Sequence, residues 1–253
     1  MCIRDRVSDG PDAATVEFDD GTTDSADFVI GADGARSLTR DYVLGHEVTR
    51  RYAGYVNFNG LVDVDEEIGP ATEWTTYVGD HKRVSVMPIA GNRFYFFFDV
   101  PMPQGKPYER GTAREVLAKE FADWAPGVHK LIAALDPATT NRVEILDLDP
   151  FDTWVAGRVA LLGDAAHNTT PDIGQGGCSA MEDAVALQFS LRDHPDDVHA
   201  ALAAYQAART ERAGELVLRA RKRCDVTHGK DPEKTAAWYD ELRTDCLLYT
   251  SPS

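Results

Sequence analysis

The sequence lacks long apolar runs, and none approaches the roughly 20 residues that a bilayer-spanning helix needs. Its N-terminus lacks the charged-then-apolar layout of a secretory signal. Basic residues are scarce, 26 Lys and Arg against 42 Asp and Glu, and the net charge of −16 disfavours a nucleic-acid or anionic-membrane partner. The four cysteines form no CxxC pair, which argues against a zinc site or a disulfide scaffold. We therefore expect a cytoplasmic protein without metal, nucleic-acid or membrane partners, whose oligomeric state stays open.

The two ends of the sequence fit poorly with the segments that adjoin them. Residues 1–6 (MCIRDR) enter a strand-like segment without a cap or turn, and residues 246–253 (CLLYTSPS) follow a helical pattern without any periodicity. Both resemble translated sequencing adapters, so we expect them to be artefacts and exclude them from the fold. The alternative is a pair of frayed native termini.

Between these ends the hydrophobic pattern divides the chain. Residues 7–49 and 150–195 show short apolar strands, glycine-containing turns and helices. Residues 50–149 form a β-rich segment, with an antiparallel meander over residues 50–100, two helices over residues 112–124 and 128–135, and a strand over residues 143–148. Residues 196–245 are helical. This layout predicts an α/β fold in which a two-part cofactor domain carries an inserted mixed or antiparallel β-sheet substrate domain and C-terminal helices.

The first motif begins at a buried strand, residues 159–162, that ends in Gly163 and Asp164. An acid at the carboxyl end of such a strand is well placed to accept hydrogen bonds from sugar-like hydroxyls of a ligand. Bare backbone N–H groups at the start of the following helix favour a partial negative charge. A glycine-rich loop connects Asp164 to this helix, and its residues include Pro171, Gly174, Gln175, Gly176, Gly177 and Cys178. The competing interpretation is a plain glycine-rich turn.

The second motif is another strand end, Gly31-Ala32-Asp33-Gly34, followed by Arg40. It predicts a second place where a ligand approaches the backbone beside a carboxylate. Alone it is equally typical of an Asp–Gly turn. Ser37 is expected to cap a short helix that Gly45 ends.

Together the two motifs resemble the flavoprotein hydroxylases, the single-component FAD monooxygenases, over residues 7–245. The resemblance implies a Rossmann-like domain with non-covalent FAD, formed by residues 7–49 and 150–195, and NADH or NADPH as co-substrate. The implied cofactor-binding residues are Asp33, Asp164, Pro171, Gly174, Gln175, Gly176, Gly177 and Cys178. The family's opening strand with GxGxxG and the first βαβ unit are not in the sequence. We therefore expect an N-terminally truncated fragment of a longer enzyme.

The β-rich segment resembles one group within this family, the FAD-dependent urate hydroxylases. Strand alternation places Arg83, Ser85 and Met87 on one face, and Tyr95 and Phe97 on one face of the next strand. The resemblance implies that Arg83 and Tyr95 are catalytic. The implied substrate-binding residues are Asn57, Arg83, Tyr95, Phe96 and Phe97, although alternation puts Phe94, Phe96 and Phe98 in the core. Arg83 beside Lys82 is also compatible with a solvated surface pair.

The activity implied by this resemblance is hydroxylation of the urate anion at C5 to 5-hydroxyisourate, with NAD(P)H and O₂, through a flavin C4a-hydroperoxide. Arg83 would bind the anion and Tyr95 would position its ring, while His167 is expected to hold its loop rather than act as a base. Three alternatives stay open: another aromatic or N-heteroaromatic hydroxylase, an inactive fragment with weak flavin or ligand binding, and an isoprenoid epoxidase. The polar residues around Arg83 argue against an apolar substrate.

Overall fold

The computed structural model describes residues 6–64, 68 and 72–245. The artefacts expected at both ends, with Cys2 and Cys246, lie outside these residues except for Arg6. The strands are β1 (Arg6–Asp9), β2 (Ala14–Glu17), β3 (Thr23–Ala26), β4 (Val29–Gly31), β5 (Arg51–Asp63), β6 (Thr75–Gly79), β7 (Lys82–Ala90), β8 (Arg93–Pro101), β9 (Asn141–Asp147), β10 (Val155–Ala156) and β11 (Val159–Leu161). The helices are α1 (Leu38–Leu44), α2 (Ala113–Glu120), α3 (Pro126–Ala134), α4 (Asp164–His167), α5 (Gly176–Asp193), α6 (Val198–Thr227) and α7 (Pro232–Asp245), with a 3-10 helix at Pro171–Ile173.

The chain divides into two compact units. Unit 1 comprises Met1–Arg51 and Leu146–Arg223, and unit 2 comprises Tyr52–Ile145 and Cys224–Ser253. The helices expected at residues 196–245 are thus shared between the units. Among the described residues, none of the helices combines the length and the apolar character that crossing a membrane requires.

Unit 1 contains two small sheets. Strands β1, β2 and β3 form an antiparallel sheet, and a turn at Asp20, whose carboxylate accepts from Thr22 N at 2.9 Å, joins β2 to β3. The second sheet has the order β10-β11-β4, and β11 runs parallel to β4. Helix α1 begins and ends as the sequence predicts, because Ser37 Oγ accepts from Arg40 N and Gly45 adopts the left-handed conformation of a C-cap. The core lies around Trp154, Leu161 and Tyr205.

Unit 2 is built on a five-stranded sheet of order β6-β7-β8-β5-β9. Because side chains alternate along each strand, one face of the sheet is apolar and packs against helices α2 and α3. The core on this face includes Phe58, Phe96, Phe98, Phe121 and Leu131. The simple meander expected here is wrong in one respect. Strands β6, β7 and β8 pair in sequence order, but β5 pairs with β8 instead of β6. Strand β9, which the chain reaches after the expected helices α2 and α3, pairs with the other edge of β5.

Candidate functional site

The two glycine–acid motifs of unit 1 lie at one edge of one sheet. Gly31 and Leu161 are directly opposite each other in the parallel pair β4–β11, and Leu162 N donates to Gly31 O at 3.0 Å. The buried Arg40 side chain joins the segments that follow, because its guanidinium donates to Ala35 O and to Ala165 O, each at 3.1 Å. The carboxyl ends of parallel strands are where open α/β sheets place ligands.

Asp33 supports the N-terminus of helix α1, whose cap residue is Ser37. Its carboxylate accepts from Ser37 Oγ at 2.5 Å, from Leu38 N at 2.9 Å, and from Thr39 N at 3.0 Å. Burial raises the pKa of Asp33, but the hydrogen bonds from Ser37 and Thr39 outweigh it and hold the pKa below its ordinary value of 3.8. Because these bonds use much of the carboxylate, a direct contact of Asp33 with a cofactor stays a prediction.

This lowered pKa predicts a loss of stability in acid. A carboxyl group whose folded pKa is below its unfolded value stabilises the fold above the unfolded pKa, and this contribution is lost as the pH falls through the folded pKa. We expect unit 1 to lose stability as the pH falls below 3.8, and Asp33→Asn to flatten that part of the profile. Urea unfolding at a series of pH values between 6 and 3 measures both curves. If the free energy of unfolding falls equally with pH in the parent protein and in Asp33→Asn, Asp33 is not the source of the acid-induced loss.

Asp164 and Gly163 follow strand β11 with different roles. Gly163 has φ +66° and ψ −139°, a conformation that other residues rarely adopt, and a Cβ there would lie 3.2 Å from Ala180 Cβ. Asp164 opens the short helix α4, which the sequence did not reveal, and its side chain is exposed. Among the described residues no hydrogen-bond partner of the Asp164 carboxylate is found, so it is available to an external donor.

The glycine-rich loop ends at a bare helix N-terminus. Gly174 ends the 3-10 helix in the left-handed conformation at φ +64°, and helix α5 starts at Gly176 without a side-chain cap from Gln175. The N–H groups of Gly176, Gly177 and Cys178 precede the first intrahelical bond, which Ser179 N donates to Gln175 O. A Cβ at Gly174 or Gly177 would meet no atom within 4 Å. The loop therefore offers backbone N–H donors that can stabilise a partial negative charge on a ligand.

A buried ionic cluster anchors the segment from Gly163 to Ser179. Of its ionisable members, only His167 was identified from the sequence. The fully buried Asp183 carboxylate accepts from Gly163 N at 2.9 Å, lies 2.7 Å from His167 Nε2 and accepts from Arg209 Nε at 2.7 Å. Arg209 is itself buried and also donates to Ser179 Oγ at 3.1 Å. Burial raises the pKa of Asp183, but the hydrogen bond and charge of His167, with Arg209 and Gly163, bring it below 3.8. His167 therefore has the loop-holding geometry expected of it.

In unit 2 a polar row crosses three strands on the face opposite the core. Arg83 on β7 lies opposite Asp99 on β8, and Asp99 lies opposite Asn57 on β5. The Nε and Nη2 atoms of Arg83 donate to Asp99 Oδ2 at 2.9 and 2.7 Å, and Asn57 Nδ2 donates to Asp99 Oδ1 at 2.7 Å. Burial raises the pKa of Asp99 above 3.8, and the charges of Arg83 and His228 offset part of this rise.

The next rows along the same face are aromatic. The Arg83 guanidinium carbon lies 5.1 Å from the centre of the Phe97 ring, and the Tyr95 and Phe97 rings are 6.3 Å apart. Burial, together with the nearby charge of Asp99, raises the pKa of Tyr95 above 10, so its hydroxyl is a neutral donor at neutral pH. The sheet thus brings Asn57, Arg83, Tyr95 and Phe97 to one face.

Two sequence interpretations need correction. Phe96 is 1% exposed and stacks edge-on against Phe98 in the core, because alternation turns it away from Tyr95 and Phe97. This burial contradicts its inclusion among the substrate-binding residues. The interpretation of Lys82 and Arg83 as a solvated surface pair is also wrong. Lys82 Nζ donates to Glu120 O at the end of helix α2, and Arg83 pairs with Asp99.

Asn57 is more constrained than its sequence position suggests. Its Nδ2 donates to Asp99, and its Oδ1 accepts from Asn59 Nδ2 at 2.6 Å. One amide hydrogen and one acceptor direction of Asn57 remain for a ligand. Asp99 is the residue of this face that sequence reasoning missed, and only the strand register identifies it.

Comparison with known proteins identifies a family that matches most of the chain. The family described as FAD binding domain matches residues 6–220. The chain belongs to this FAD-binding family. A protein of Mycolicibacterium vanbaalenii named FAD-dependent urate hydroxylase is 75% identical over 92% of the chain, and one of Klebsiella pneumoniae with the same name is 58% identical over 95%. The chain spans 59% and 62% of the lengths of these two relatives.

A solved structure agrees with this placement in the FAD-binding family. The crystal structure of Klebsiella pneumoniae HpxO complexed with FAD and uric acid is 57% identical and superposes with a TM-score of 0.92. The match covers 96% of the chain and 62% of the HpxO chain.

Proposed function

We propose that the whole protein is an FAD-dependent monooxygenase that hydroxylates urate at C5 to 5-hydroxyisourate, using O₂ and NADH or NADPH. The observation that carries the proposal is the polar row Arg83–Asp99–Asn57 beside Tyr95 and Phe97, on one face of the unit 2 sheet. It occurs in a member of an FAD-binding family that is similar to proteins named urate hydroxylases. A planar, electron-rich anion matches a guanidinium fork flanked by aromatic rings.

Unit 1 would hold the flavin non-covalently. Asp164, at the end of β11, would accept hydrogen bonds from the ribityl hydroxyls. The Gly176, Gly177 and Cys178 N–H groups would stabilise negative charge on the pyrimidine end of the ring. FAD, when bound, supplies the redox chemistry that takes electrons from the nicotinamide and activates O₂.

Unit 2 would bind and orient the substrate. Arg83 would donate to the oxygens of the urate anion, and Phe97 and Tyr95 would bound its flat ring. No strong base is needed on this face if urate enters as an anion, because its C5 is already electron-rich. The domain assignment is part of the proposal, with unit 1 as cofactor domain and unit 2 as substrate domain.

We also place the protein in the cytoplasm, where reduced nicotinamide is available. Neither of the two cysteines in the described residues, Cys178 and Cys224, forms a disulfide, which suits a reducing compartment.

The flavin assignment predicts the effect of adding one methyl group. Gly177→Ala should leave stability unchanged or slightly raised, because the new Cβ meets no atom within 4 Å and alanine favours a helix. The same methyl group would lie against the flavin, and we expect FAD affinity to fall by about 10-fold, equivalent to a strain of about 1–3 kcal/mol. Flavin fluorescence quenching and thermal unfolding measure the two effects. Undiminished FAD affinity in Gly177→Ala would count against this site.

A substrate screen tests the urate assignment. The protein, completed with the part of the Mycolicibacterium relative outside the matched region, should oxidise NADH much faster when urate is added and should release 5-hydroxyisourate. Stimulation by a phenol or another N-heteroaromatic acid, without stimulation by urate, would favour a different hydroxylase. Protein that stays colourless with added FAD would favour a non-catalytic binding fragment.

A further inference from the structure

Asp99 is a buried carboxylate on strand β8, and the hydrogen bonds that it accepts come from the neighbouring strands. It is fully buried, although it lies on the polar face of the sheet among Phe97 and Tyr95. Three hydrogen bonds reach it from two neighbouring strands, two from Arg83 on β7 and one from Asn57 on β5. Burial of a carboxylate is unfavourable unless partners compensate it, so these bonds keep the group in place.

The bonds to Asp99 fix the plane of the Arg83 guanidinium. Both Nε and Nη2 donate to one carboxylate oxygen, at 2.9 and 2.7 Å, and the guanidinium lies against the Phe97 ring. Two contacts in different directions leave the group little freedom to rotate. The orientation of the Arg83 donors is therefore set before any ligand arrives.

The same carboxylate fixes the amide of Asn57. Because Asp99 Oδ1 can only accept, it requires the NH₂ side of Asn57 to face it, and Asn59 Nδ2 then donates to the Asn57 oxygen at 2.6 Å. Rotation of the Asn57 amide by half a turn would place two acceptors against each other at one end and two donors at the other. Asp99 thus determines the orientation of the Asn57 amide and, with it, the position of the remaining amide hydrogen.

We propose that Asp99 is a positioning residue of the substrate site, which sets the direction of Arg83 and the amide orientation of Asn57 toward a planar N-heterocyclic anion. This inference rests on the proposed function for the identity of the ligand. Since Asp99 balances the charge of Arg83, the pair recognises the ligand through the arrangement of its donors more than through net charge. Asp99 itself does not touch the substrate in this account.

The sheet supplies a matched control for this inference. Asp63 on β5 and Arg93 on β8 also form a carboxylate–guanidinium pair across neighbouring strands, with distances of 2.9 and 3.1 Å. That pair is exposed and lies at the opposite end of the strands from Asp99. Asp63→Asn therefore removes a similar charge from the same sheet without touching the Arg83 row.

The test uses the FAD-loaded protein, completed with the part of the Mycolicibacterium relative outside the matched region, and two measurements on its Asp99→Asn and Asp63→Asn variants. The first is the solvent exchange rate of the Arg83 Nε proton, followed by nitrogen-15 NMR of the arginine side chains. The second is urate affinity by calorimetry. We expect Asp99→Asn to accelerate exchange and to weaken urate binding by about 10-fold, the effect of losing one charge-assisted hydrogen bond. Asp63→Asn should leave both values at those of the parent protein.

The outcomes separate this inference from the function on which it rests. Unchanged Arg83 exchange in folded Asp99→Asn would overturn the positioning role. Accelerated exchange with no urate binding in the parent protein would overturn urate as the ligand, while the positioning of Arg83 would stand. Asp99→Glu keeps the charge but displaces it by one methylene group, and we expect a smaller change in the same direction. If Asp99→Asn does not fold, normal Arg83 exchange and urate affinity in Asp99→Glu would overturn the inference.

Discussion

Replacing Arg83 by Gln is expected to leave NADH oxidation in place while the yield of hydroxylated urate per NADH falls and hydrogen peroxide rises. Gln keeps an amide donor but loses the planar set of guanidinium donors that orients the anion, so urate is held loosely while the flavin still turns over. Loss of charge-assisted hydrogen bonds of about 1.5–3 kcal/mol corresponds to a decrease of about 10–150-fold in urate affinity. The assay compares NADH consumed, 5-hydroxyisourate formed and peroxide released.

Arg93→Gln is the control for this prediction. Arg93 pairs with Asp63 on the same two strands that carry Asp99 and Asn57, but its side chain is exposed at the other end of the sheet. We expect its NADH-to-product ratio to match that of the parent protein. Tightly coupled product formation by Arg83→Gln would contradict the role given to Arg83.

Replacing Asp183 by Ala is expected to lower the free energy of unfolding of unit 1 by about 3–5 kcal/mol, the cost of breaking a buried ion pair. The substitution removes the acceptor of Arg209 Nε, Gly163 N and His167 Nε2 and leaves the buried Arg209 with the more exposed Glu182 as its carboxylate partner. The loop that starts at Gly163 then loses its anchor, and we expect FAD affinity to fall together with stability. Urea unfolding and flavin titration measure the two losses.

Asp193→Ala is a suitable control because Asp193 ends the same helix, α5. Its carboxylate is exposed and pairs only with the neighbouring Arg192 among the described residues. Surface pairs of this kind contribute about 0–1 kcal/mol, so the control should unfold near the parent midpoint. Equal midpoints for Asp183→Ala and Asp193→Ala would show that the buried cluster does not stabilise unit 1.

Local features of the fold were predictable because their causes are local. The cap at Ser37 and the stop at Gly45 follow from residue types at fixed helix positions, and the structure confirms them. Alternation correctly placed Phe94, Phe96 and Phe98 in the core, opposite Tyr95 and Phe97. The resemblance-based assignment of Phe96 to the substrate was wrong, since it set aside this two-residue period.

The unpredicted features depend on contacts between distant segments. Asp183 and Arg209 lie on different helices, and no spacing in the sequence indicates that they pair. Asp99 acquires its role from the register of three strands, which alternation alone does not fix. The outer position of β9 likewise depends on how α2 and α3 return the chain to the sheet.

The most direct test of the account is the flavin absorption spectrum of the FAD-loaded protein, completed with the remaining sequence of the Mycolicibacterium relative and titrated anaerobically with urate. The account predicts a saturable change in the flavin bands, because the proposed hydroxylation requires urate to bind next to the flavin. We expect the same titration of Arg83→Gln to require far more urate. No change with urate, in a protein that retains FAD and responds to a phenol instead, would contradict the proposed function.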